Sequence, residues 1–149
     1  MSAMSESDTL VRIRKVLALI AVGTAIGGMV ELAMLRHWGE SAQLIPWFVL
    51  TAIAVGGLLV AGGGGSTRAA QAIGAAGLLT GAIGVFLHLS ENLDAGEDLA
   101  QYAQTWETMP FFERLWLVVN GSVGEAPLLA PGMVALAGVI LFVAVLDRR

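Results

Sequence analysis

The chain has 149 residues, 56% of them hydrophobic and 13% charged, with a net charge of −4 and a mean hydropathy of +0.77. A soluble domain carries about 25% charged residues, so this chain lacks the polar surface that a soluble, disordered or nucleic-acid-binding protein needs, and those classes are excluded. The absence of cysteine removes disulfide scaffolds, thiolate zinc sites, iron–sulfur clusters and cysteine nucleophiles. A small integral membrane protein remains.

Four apolar runs reach the length of roughly 20 residues that a bilayer crossing requires. They are Val16–Leu35, Leu44–Ala61, Ala69–Leu89 and Leu128–Leu146. Arg12, Arg14 and Lys15 precede the first run as they would precede the core of a signal peptide. The run continues to Leu35 without a small-residue cleavage site, which favours a retained helix. Within it, Thr24, Gly27 and Glu31 follow steps of 3 and 4 and share one face, with Gly23 and Gly28 widening the small-residue strip. Glu31 lies four residues inside the outer end. An ionisable group at that depth calls for a partner.

The connection after the first run holds Arg36-His37-Trp38 and then Gln43. Between the second and third runs, Gly62-Gly63-Gly64-Gly65-Ser66-Thr67 reads as a flexible hairpin. It lacks the Gly-Lys-Ser/Thr ending of a phosphate-binding loop. In the third run Gly74, Gly77, Gly81, Gly84 and His88 recur in steps of 3, 4, 3 and 4. Glycines on one face let helices approach closely, so this face belongs against protein, and His88 points inward near the outer end. Glu91 and Asn92 continue that side if the helix extends so far.

The outer loop, residues 90–126, contains two amphipathic stripes: Leu99, Tyr102, Ala103 and Trp106, then Phe111, Phe112, Leu115, Trp116 and Val119. Met109-Pro110 separates them. The expectation is two short interfacial helices, read first as a lid on the bundle and second as a partner-docking or gating surface. Pro127 and Pro131 open the fourth run, and Pro131 is expected to disfavour helical geometry at Ala130.

Six basic residues, Arg12, Arg14, Lys15, Arg68, Arg148 and Arg149, lie on one side, and only Arg36 and Arg114 on the other. The positive-inside rule then predicts cytoplasmic termini and a cell (inner) membrane location. The outer side collects Glu40, Glu91, Asp94, Glu97, Asp98, Glu107, Glu113 and Glu125, and all four tryptophans.

The predicted fold is therefore all-α, one domain over 1–149: a four-helix transmembrane bundle with two interfacial helices in its outer loop. A polar pocket is expected from Glu31, His88, Asn92, Gln43 and Pro131. Its leading interpretation is a structural pair, Glu31 with His88, with Asn92 and Gln43 satisfying loose backbone groups. A divalent metal bound by Glu31, His37, His88 and Glu91 is a second interpretation, since carboxylate and imidazole suit zinc. A haem between His37 and His88 is a third. Ion or proton transport has little support, because the inner half carries few polar side chains. No nucleophile elbow, His-Glu-x-x-His run or recognisable triad order is present, which leans against an enzyme.

The elements Glu31-Leu32, His37, Gln43-Leu44-Ile45-Pro46, Leu87-His88, Asn92, Ala126-Pro127 and Leu129-Ala130-Pro131-Gly132 together resemble a group of uncharacterised small bacterial four-span membrane proteins. The resemblance covers the outer ends of all four runs. It implies architecture and no mechanism. The functional expectation is an accessory or structural subunit within a membrane complex, its partners being lipid and other membrane subunits or further copies of itself.

Overall fold

A computed structural model describes residues 6–146, with side chains from residue 7; Arg148 and Arg149, which entered the orientation argument, lie outside the described residues. The described chain is all-helical, without a strand. Five α-helices run in order: α1 Glu6–Met34, α2 Ile45–Ala61, α3 Thr67–Ala95, α4 Phe111–Val119 and α5 Leu129–Ala144. Short 3-10 helices occupy Ser41–Leu44 and Trp106–Thr108. Three segments are long and apolar enough to cross a membrane: Ser7–Met34, Ser41–Ala61 and Thr67–Ala95. The α5 helix is equally apolar but has 16 residues, a length of about 24 Å at 1.5 Å per residue.

Contacts divide the chain into two compact units, one comprising the chain up to Ala82 together with that from Ala130 onward, the other Ile83–Leu129. In the first unit one core gathers Ala18, Ala21 and Ala25 of α1, Leu50 and Ile53 of α2, Ala70 of α3, and Val134, Ala137 and Leu141 of α5. Small side chains dominate, as expected where helices gain by close van der Waals contact rather than by leaving water. Glycine allows the closest approaches. A Cβ on Gly74 would stand 2.7 Å from the Gly138 carbonyl oxygen, and one on Gly138 would stand 2.6 Å from that of Gly74. Gly77 meets the Cα of Gly138, and Gly81 meets Ala135 and the Pro131 carbonyl. The glycine face of α3 is thus packed backbone to backbone against α5. On α2, Gly57 leaves only 2.7 Å for a Cβ before Val22 of α1.

The end of α1 is a Schellman closure. His37 N–H donates to Leu32 O and Arg36 N–H to Ala33 O, with Arg36 in the left-handed region at φ 52°, the position glycine usually takes. Pro46 sits in the first turn of α2, where its missing N–H costs no hydrogen bond.

Two expectations are corrected. The stripe Leu99–Trp106 is not a helix but a run of hydrogen-bonded turns, with Tyr102 N–H and Ala103 N–H both donating to Leu99 O and Trp106 N–H to Tyr102 O, ending in the 3-10 helix. The eight residues Leu99–Trp106 are too few to sustain a helix by themselves, and Leu99, Tyr102 and Trp106 are held by contacts with α3 and α4. Nor does Pro131 break the chain at Ala130: α5 starts at Leu129, so Pro131 falls in the first turn, where no intrahelical donor is needed.

Candidate functional site

The polar side chains singled out in the sequence fall into two groups. In the first unit, Glu31 is half-buried near the end of α1. The strip leading to it is occupied by packing. A Cβ on Gly27 would meet Met133 Cε at 3.1 Å, one on Gly28 would meet Leu50 at 3.2 Å, and the Thr24 hydroxyl donates to Ile20 O within its own helix at 2.9 Å. Met133 therefore fills a gap between helices, the ordinary use of its flexible thioether. Gln43 is committed to the loop between α1 and α2. Its Oε1 accepts from Gly39 N–H at 2.8 Å and from Glu40 N–H at 3.4 Å, in a reciprocal capping arrangement with Glu40. His37 contributes its carbonyl, which accepts from the Trp47 indole at 2.8 Å, and Trp47 lies beside Trp38 with ring centroids 6.2 Å apart. Pro131 presents its carbonyl to Gly81.

In the second unit α3 continues to Ala95, so His88 and Asn92 share a side of the helix. Both reach the segment that leads into α5. Asn92 Nδ2 donates to Ala126 O at 2.8 Å, and Ala126 N–H donates to Asn92 Oδ1 at 2.9 Å. The amide thus engages both polar groups of one residue, as an adjacent strand would. Asn92 is 3% exposed, so this pairing meets a strict requirement for buried polar groups. One turn earlier, His88 Nδ1 lies 2.8 Å from Pro127 O. A carbonyl only accepts, so Nδ1 carries the proton of this bond. Gly124, at φ +86°, packs directly on the Asn92 side chain. A Cβ there would collide with the amide, and the backbone conformation excludes most other residues as well.

The clamp stands on a small core of its own. Trp106, Val118 and Val123 are buried, with Leu89, Leu93, Leu99, Tyr102 and Leu117 around them. The Trp106 indole donates to Leu93 O at 3.0 Å, its ring covers Gly96 so closely that no Cβ fits there, and the Arg114 guanidinium lies 5.9 Å from its centroid. Sequence reasoning placed Trp106 on the apolar stripe of an interfacial helix and missed this role. The signal available was Gly96, ten residues before the indole and just past the end of α3.

Of the expected metal set, Glu31 and His37 belong to the first unit, and His88 and the exposed Glu91 to the second. Among the described residues no group of three or more His, Asp or Glu side chains is placed to hold a metal ion. An apolar groove of about 190 Å³, lined by Phe48, Val49, Ala52, Ile73 and Ala76, contains none of the candidate residues. Compared with known proteins, the chain matches no protein family, no curated protein and no solved structure.

Proposed function

We propose that the chain is a four-span helical bundle of the inner membrane, with cytoplasmic termini and the loop of residues 90–126 on the outer side, acting as an accessory or structural subunit of a membrane complex. The observation that carries this reading is the clamp on Ala126 and Pro127. Asn92, a buried polar side chain of the outer segment, uses its amide to fix the chain's own backbone, and His88 gives Nδ1 to the same purpose. These groups hold architecture together where a substrate site would direct them at a ligand. The fourth span in this reading is α5 extended by Val145 and Leu146, a short crossing that a bilayer accommodates by local thinning.

Isolation of the full-length protein from its native membrane in mild detergent tests the assignment. A subunit should migrate with stoichiometric membrane-protein partners or as a defined multimer of itself. A single monodisperse monomer at every detergent concentration would contradict it.

A further inference from the structure

The face of α4 that its own unit leaves uncovered is an aromatic ridge. Around the helix, Leu117 and Val118 turn toward the small core, and Arg114 is held over the Trp106 ring with its Nε buried and without a hydrogen-bond partner. Phe111, Phe112, Trp116 and Val119 point the other way, exposed by 53%, 80%, 65% and 54%. Phe111 and Phe112 pack edge to face at 5.6 Å, so the ridge is a preformed surface. Glu113, one turn before Trp116, is the exposed polar residue at the edge of the ridge.

We infer that this ridge is a membrane-insertion surface, seated at the headgroup–acyl boundary of zwitterionic lipid. The inference rests on the four-span reading, because it needs α3 and α5 to be anchored in the bilayer. Only nine residues separate α4 from α5, a reach of at most about 30 Å when fully extended. The ridge is therefore confined to the neighbourhood of the membrane surface, at a high effective concentration. Phenylalanine and tryptophan on one side of a short helix, with an exposed carboxylate at the edge of that side, are suited to lying in that plane. Charge selects the lipid. Residues 83–129 contain seven carboxylates and one cation, Arg114, a net charge of −6 with His88 neutral. An anionic surface repels such a segment, and its sole guanidinium is already engaged with Trp106. α4 adds a foothold in the outer leaflet beside the spanning helices.

The cysteine-free chain allows a direct depth measurement. Single-cysteine variants Phe112→Cys, Trp116→Cys, Glu113→Cys and Leu136→Cys are spin-labelled in the full-length protein and reconstituted into phosphatidylcholine vesicles. Collision with molecular oxygen is compared with collision with a water-soluble nickel chelate. The oxygen-to-nickel ratio should be several-fold higher at positions 112 and 116 than at 113. Water-like ratios at 112 and 116, with position 136 deep in hydrocarbon, would overturn the inference and leave the four-span reading standing. Labels at 112 and 116 shielded from both reagents would mean a protein partner and would overturn it as well. A water-like ratio at 136 would remove the fourth span, and the inference with it. Replacing part of the phosphatidylcholine with phosphatidylglycerol at low salt should lower the ratio at 112; a rise would refute the lipid selectivity.

Discussion

Asn92 concentrates the local energetics of the second unit. Truncation to alanine strands the N–H and C=O of Ala126 in a part-buried setting, and each stranded group costs about 1–3 kcal/mol where water cannot reach it. Asn92→Ala should lower stability by about 2–4 kcal/mol, measured as detergent-phase thermal unfolding by circular dichroism. Gln101→Ala, at an exposed position, should stay within about 0.5 kcal/mol of the parent. The position of Asn92 beside His88 was readable from the sequence, because four residues make slightly more than one helical turn. Its partner was not. Nothing in the local pattern shows which of the distant backbone groups an amide will meet, and Ala126 lies 34 residues away.

The elements divide into those that periodicity specifies and those it does not. The glycine face of α3 was legible as a close-packing surface, and Gly74, Gly77 and Gly81 do meet α5 within van der Waals limits. Gly138→Ala tests that contact. The added methyl would lie 2.6 Å from Gly74 O and 2.6 Å from Leu78 N, against backbone that has no rotamer to change. A loss of about 1–3 kcal/mol is expected from such overpacking, against little effect from Gly23→Ala on α1, where a Cβ meets nothing within 4 Å. Denaturant titration of the two variants side by side would separate them. The stripe Leu99–Trp106 shows where periodicity misleads. Repeated turns of αR residues place side chains three and four apart on one side much as a helix does. That stripe contributes Trp106, Leu99 and Tyr102 to the core of the second unit, while the following one, on α4, is a helix with its aromatic side exposed.

At the scale of the molecule, the scarcity of charge and the three helices long and apolar enough to cross a membrane support the membrane reading, and orientation is the next property to measure. The absence of native cysteine again helps. In the proposed topology Glu97→Cys, at an exposed position outside the helices, should react in intact cells with a membrane-impermeant maleimide. Gly64→Cys, in the glycine hairpin between α2 and α3, should react only after permeabilisation. The reverse pattern would invert the protein, and labelling of both sites in intact cells would refute the single crossing by α3 between them.

Composition and the spacing of apolar residues determined by themselves that this is a helical chain with segments long and apolar enough to cross a membrane, where its long helices lie, and which face of α3 carries glycine. These follow from the length of a bilayer crossing and the pitch of a helix, which are the same in every protein. The tertiary structure decided three other matters: that Trp106 is buried over Gly96, that Asn92 and His88 hold Ala126 and Pro127, and that the aromatic side of α4 is left uncovered. An apolar stripe has one appearance in sequence whether it meets lipid, a partner or its own core. Only the packing of residues distant along the chain separates those cases.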